Sequence, residues 1–211
     1  MITKGHVGWS QYAKGVDAPH NVSHQGDLVG ADIYGKHYEA VRRGHIWAGS
    51  TAEAGVAPGT AIGTTAPFVL HNPQGSGVIL SILQASMGYV SGTLGAGQVV
   101  WIAIQNVQLA TPSGTAIVPR NCYIGGVRAD ASGARPLTTA TIASPVILRP
   151  VFQLDASLAT TASAGTKPMV DYVDGAILVF EGGTVGLQGI AAAGTTPLVI
   201  FGCIWAEVPI V

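Results

Sequence analysis

Six histidines and eleven carboxylates are the residues through which this chain of 211 could do acid–base, metal or phosphate chemistry, and their spacing decides among these. Gly30-Ala-Asp-Ile-Tyr-Gly35-Lys36-His37 follows the glycine spacing of a phosphate-binding loop, in which backbone N–H groups cradle phosphate and a final hydroxyl holds magnesium. His37 stands where that hydroxyl is required. No strand of a parallel sheet precedes it and no long helix follows, so the match reflects the glycine richness of the region. Gly92, Gly95 and Gly97 lack the surrounding βαβ unit of a dinucleotide site. His20 and His24 have the i, i+4 spacing that binds zinc from one helix face, but Pro19 and Asn21-Val-Ser predict a turn there, with no Cys or carboxylate cluster nearby. Asp171 and Asp174 flank Tyr172-Val173 as in a turn rather than as a paired-carboxylate site. His71, the sole histidine after residue 45, opens a turn at Asn72-Pro73, and no serine nucleophile elbow exists. Catalysis needs convergent ionisable groups. None is found, so the sequence predicts no enzyme, no catalytic or metal-binding residue, no cofactor and no small-molecule substrate.

The elements that would position any site read as β. Candidate strands fall at 60–64, 68–71, 77–90, 98–107, 116–123, 137–143, 145–154, 175–180, 184–190 and 197–208, rich in Val, Ile, Thr and aromatics. Gly, Pro, Asn and Ser clusters separate them, at 71–77, 91–97, 111–114, 131–133, 181–183 and 193–194. The only helical spacing, Tyr38, Val41 and Arg42 within 35–44, is marginal in length. Short strands at this spacing indicate a sandwich or barrel. The expected fold is an all-β, antiparallel jelly-roll β-sandwich with an extended N-terminal arm.

Charge is scarce and segregated. Asp, Glu, Lys and Arg make up 10% of the chain, against roughly a quarter in an ordinary soluble domain, and none occurs from Ala54 to Pro119. Within that stretch Val78-Ile-Leu-Ser-Ile-Leu and Val99-Val-Trp-Ile-Ala-Ile carry apolar side chains on both strand faces, whereas the outward face of an antiparallel sandwich should be polar. The outer faces are therefore expected to be covered by the arm, by symmetry mates or by a larger assembly. A net charge of −1 lacks the basic excess of a nucleic-acid-coating protein. No apolar run reaches the roughly 18 residues of a spanning helix, and no export signal is read at the N-terminus, so no nucleic acid or membrane partner is expected. Cys122 and Cys203 lie far apart in strand-like runs, which suggests two buried free thiols in a reducing cytoplasm, or a bridge if adjacent strands bring them together.

Ten charged residues and five of the six histidines precede Ala54, in a glycine-punctuated segment without sustained periodicity. A boundary near Ser50 follows, with residues 1–50 as an arm and 51–211 as the β domain. The arm holds Trp9, Tyr12, Tyr34, Tyr38 and Trp47, more aromatics than a disordered tail, and the dibasic pair Arg42-Arg43. It is expected to be ordered by a surface it lies against.

Four runs carry a resemblance to known proteins. Phe68-Val-Leu-His-Asn-Pro-Gln-Gly-Ser-Gly-Val-Ile-Leu-Ser-Ile-Leu with Met87-Gly-Tyr-Val-Ser-Gly-Thr-Leu-Gly-Ala-Gly is similar to virion structural proteins of tailed bacteriophages, as is Gly35-Lys-His-Tyr-Glu-Ala-Val-Arg-Arg-Gly-His-Ile-Trp. Leu198-Val-Ile-Phe-Gly-Cys-Ile-Trp-Ala-Glu-Val-Pro is similar to the last strand of trimeric jelly rolls. The resemblance implies a non-enzymatic capsid cement or decoration protein on the outer surface of the virion, assembled in the host cytoplasm. It further implies a homotrimer whose arm residues Trp9, Tyr12, Tyr34, Tyr38, Arg42, Arg43 and Trp47 dock on the major capsid protein. The alternative it leaves open is a head or tail spike holding a receptor or glycan; the aromatics that the β region offers for such a site are Tyr123, Tyr172 and Trp101, the last in a strand expected to be buried.

Overall fold

The computed structural model describes residues 35–104, 110–125, 131–154, 169–190 and 194–210. The chain divides into two units, Met1–Tyr38 and Glu39–Val211, and the architecture below is that of the second. Among the described residues one short helix, α1 (Tyr38–Arg42), precedes eleven strands: β1 (Ile46–Ser50), β2 (Thr65–His71), β3 (Val78–Ser91), β4 (Gly97–Ile104), β5 (Ser113–Ala116), β6 (Arg120–Asn121), β7 (Arg135–Thr141), β8 (Pro145–Leu154), β9 (Met169–Val179), β10 (Thr184–Ile190) and β11 (Leu198–Pro209). They form two antiparallel sheets packed as a β-sandwich. The first has the order β6-β1-β11-β3-β9 and the second β5-β7-β2-β10-β4-β8.

Long-range pairing builds both sheets. β1 pairs with β11, β2 with β10, β3 with β9 and β4 with β8, so the strands nest from the outside of the sequence inward. The excursion between β4 and β8 adds β5 and β7 to the β2 edge of one sheet and β6 to the β1 edge of the other. The expected strand at 116–123 is therefore two strands in different sheets. Pro119, which has no N–H to give a ladder, sits in the crossing between them. The other edges are β8 and β9; Pro145 and Pro150 are tolerated in β8 because an edge strand leaves part of its backbone unpaired.

Between the sheets lies the main core, where Phe68, Leu70, Leu80, Ile82, Trp101, Leu187, Phe201 and Trp205 are wholly buried. Strand β11 shows why: Val199, Phe201, Cys203, Trp205 and Glu207 alternate inward, while Ile200, Gly202, Ile204 and Ala206 face out. A second cluster, Ala66, Val69, Val100, Ile102, Leu137, Ala140 and Ile142, occupies the other side of the β2/β4 sheet. This settles the two-faced apolar pattern of β4. Val99 and Trp101 point to the main core, Val100 and Ile102 to the second, and the cover over the second comes from the chain itself.

That cover includes residues 58–64, a strap in which 60–64, expected as a strand, forms none. Ile62 packs on the second cluster, and the buried Gln188 side chain ties the strap down, its amide donating to the carbonyls of Ala61 and Thr65 at 3.1 and 3.2 Å. Gly189 is required for this contact: its N–H donates to the Pro58 carbonyl at 2.5 Å, and a Cβ there would lie 2.7 Å from the Gly59 oxygen.

Residues 46–50, placed in the arm on sequence grounds, are strand β1 of the sandwich. Trp47 is 8% exposed within the main core, opposite Trp205. The arm reading is corrected at this end: Ile46 and Trp47 supply core side chains, and β1 supplies the ladder that β11 would otherwise lack. Cys122 and Cys203 are free thiols. β1 separates them, Cys122 bonding to Ile46 and Cys203 pairing with Gly49. Two strand spacings, about 9–10 Å, exceed the roughly 7 Å limit for a bridge. Among the described residues no helix is long and apolar enough to cross a membrane.

Candidate functional site

The outer face of the β6-β1-β11-β3-β9 sheet is the surface most open to a partner. One row across it runs Ala48, Ile204, Gln84, Tyr172, and the next runs Ser50, Gly202, Ser86, Val170. Paired residues on this face are uncharged until Arg120, which meets Ala48 at the β6 edge. Relief divides the face. Along β9 stand Val170, Tyr172 and Leu178, with Phe180 just beyond the strand; Tyr172 is 72% exposed and Phe180 59%. On the β1 side the small residues Ala48, Ser50, Ser86 and Gly202 floor an open groove of about 540 Å³, walled by Ile204, Gln84 and the 115–118 segment. No such division is legible from the sequence, because Ser, Gly and Ala at these positions carry no apolar signal and their adjacency depends on register.

Ionisable groups elsewhere hold strands together. Asp171, on β9, accepts from the Trp101 indole N–H at 2.8 Å and from Arg149 at 2.6 Å, which ties the edge strands of the two sheets. Trp101 is thus wholly buried and committed, so it is not available as a glycan platform. Glu207 is a buried carboxylate on β11 that accepts from Ser132 Oγ at 2.5 Å, Trp205 Nε1 at 3.2 Å and the backbone N–H groups of Gly133 and Ala134 at 3.1 and 3.3 Å. It anchors the loop that begins the 131–135 turn. Glu181 performs a milder version of this, accepting from Gly77 N–H at 2.7 Å.

His71 is fully buried at the end of β2, with Nδ1 2.8 Å from Thr184 Oγ1 and Nε2 unpartnered. Burial pushes its pKa below the ordinary histidine value, with the Gly183 carbonyl pulling weakly the other way. Beside it Asn72 donates to the carbonyls of Val78 and Val179 at 2.7 and 2.9 Å and accepts from Ser76 Oγ at 2.6 Å. The Asn72-Pro73 turn is therefore a structural pin joining three strands. Among the described residues no three His, Cys, Asp or Glu side chains are grouped as a metal site.

Of the residues expected to dock, Trp9, Tyr12 and Tyr34 lie outside the described residues. Tyr38 is 45% exposed on α1. Arg42 and Arg43 both bond to Glu39, at 2.8–2.9 Å, and these hydrogen bonds hold its carboxyl down to about 2. Trp47 belongs to the core and not to this group.

Fold and surface together define a class: a two-sheet antiparallel β-sandwich with one half-exposed outer sheet face whose paired rows are uncharged from β1 to β9. No protein-family model matches the chain. No curated protein and no solved structure matches it.

Proposed function

We propose that this is a non-enzymatic virion structural protein, a capsid cement or decoration protein that binds the outside of a phage head and stabilises the shell. The nested pairing of eight strands, first with last, is read as a jelly roll, an architecture used by viral capsid and lectin domains. The observation that carries the proposal is the outer face of the β1/β11 sheet, uncharged in its paired rows where a free sandwich presents polar side chains to water. A protein that works as part of an assembly buries such a face. Two of the described carboxylates support the same reading, since Asp171 and Glu207 are engaged in contacts that fix the fold. In this proposal the chain is a homotrimer that meets the major capsid protein through the arm, with Trp9, Tyr12, Tyr34, Tyr38, Arg42 and Arg43 as contacts.

The test is co-sedimentation of the purified protein with shells that lack it, together with its copy number in native particles. Uptake at a fixed ratio to the major capsid protein, hundreds of copies per particle and a higher shell-disruption temperature are expected. Failure to bind shells overturns the proposal. A handful of copies per particle would favour the receptor-binding spike, for which the exposed Tyr123 and Tyr172 are the remaining aromatic platforms.

A further inference from the structure

The outer face of the β1/β11 sheet carries two unlike halves, and they fit one another. Ridge and groove lie side by side on one sheet: Tyr172 and Leu178 on the edge strand β9, and a groove floored from Ser50 on β1 through Gly202 on β11 to Ser86 on β3, the partner of Val170. In one copy the ridge cannot reach the Ser50 end of the groove, because β1 and β9 are three strand spacings apart, roughly 14 Å. Between two copies they can. We infer that the ridge of one copy seats in the groove of the next, a heterologous contact repeated around a closed ring; this rests on the reading of the chain as an assembly component.

Three features favour a second copy over an unrelated partner. The groove is lined at the β6 edge by Arg120 and the ridge strand β9 carries the exposed Asp174, so the charges the two halves present are opposite in sign and copies approach without like-charge repulsion. The groove volume of about 540 Å³ lies within the roughly 300–1,000 Å³ of pockets that enclose a ligand; it can take bulky side chains, and the floor residues Gly202, Ser86 and Ala48 leave room for them. A groove and ridge that differ in shape cannot make a self-matching twofold contact, whereas a head-to-tail contact closes into a ring when its rotation divides a full turn. Tyr172, the most exposed residue of the ridge, has the amphipathic ring typical of interface anchors.

The test uses the whole chain without any shell. Light scattering over a concentration series is expected to give a multi-subunit mass. Y172D on the ridge and S50W in the groove should each weaken association by roughly thirtyfold or more, with unchanged circular dichroism and melting of the isolated subunit showing that folding is intact. In a C122S background, a variant carrying both Y172C and S50C should oxidise to covalent multimers whose largest member gives the ring size, while either single cysteine should not. A wild-type monomer throughout, association indifferent to both variants, or multimers from Y172C alone, which would mean edge-to-edge pairing, overturns the inference. A ring that ignores shells would sink the cement proposal and leave this one standing; shell binding by a monomer would do the reverse.

Discussion

Replacing Glu207 tests how the fold is fastened at the end where β11 meets the 131–135 turn. Its carboxylate accepts four hydrogen bonds, two from donors that have been taken wholly out of water: the Trp205 indole and the Ala134 amide, both in residues of 0% exposure. Glu207→Ala leaves the Trp205 indole N–H without an acceptor, whereas the Ala134 amide keeps Ser132 Oγ at 3.1 Å; an orphaned buried group costs about 1–3 kcal/mol. Ser132 can rotate its hydroxyl and the Gly133 amide is only part-buried, so they add little. The expected loss is about 1–3 kcal/mol, which for a domain of this size lowers Tm by about 2–12 °C. Urea unfolding followed by tryptophan fluorescence measures it. Glu181→Ala, which removes an exposed carboxylate with a single strong backbone donor, serves as the control and should cost less than about 1 kcal/mol. A loss for Glu207→Ala no larger than that of Glu181→Ala would refute the reasoning, since it would mean that water reaches the donors or that the loop repacks.

Stability should fall with acidity through His71. Its folded pKa is depressed, so the unfolded chain takes up a proton below about pH 6.5 while the folded chain resists; the slope approaches 1.4 kcal/mol per pH unit and levels off below the folded pKa. Thr184 on β10 supplies no anion to offset the new charge, and denaturant melts from pH 8 to 5 should be flatter for His71→Gln. Gly189→Val should destabilise by about 1–3 kcal/mol by pushing the Pro58–Gly59 backbone off β10, seen as faster hydrogen exchange at Gly189 and residues 58–64. Thiol labelling of the native protein should be slow at Cys122 and absent at Cys203, because burial raises both thiol pKa values and Cys203 the more; peroxide should yield no internal disulfide.

Individual strands were legible where alternation or β-branched runs stood between strong turn residues. Residues 145–154 and 184–190 match β8 and β10 end to end, and 98–107 and 197–208 locate β4 and β11. Strand β1 was not legible: Ile-Trp-Ala-Gly-Ser is short, ends in small residues and adjoins a glycine-rich segment, and only pairing with β11 makes it a strand. The doubled apolar pattern of β4 correctly demanded a cover but could not say that residues 58–64 contribute it, since Ile62 is the sole bulky residue of that strap. The candidate surface was least legible of all. Absence of charge from 54 to 119 pointed to burial, and much of that stretch is indeed core, yet the ridge lies outside it at 170–180, and the groove joins Gln84, Ser86 and 115–118 from within it to 48–50 and 202–204 from outside.

The nesting of strands also governs when the protein can fold. β1 has no lasting partner on its inner side until β11 exists, so residues 46–50 must wait on the ribosome for residue 198 and beyond. Neither sheet can close from local contacts: the most separated pairings are the ones that seal each sheet, and loop closure must precede the reward for making them. Folding should therefore be slow and post-translational, with β1 and β11 of neighbouring nascent chains able to exchange partners during the delay.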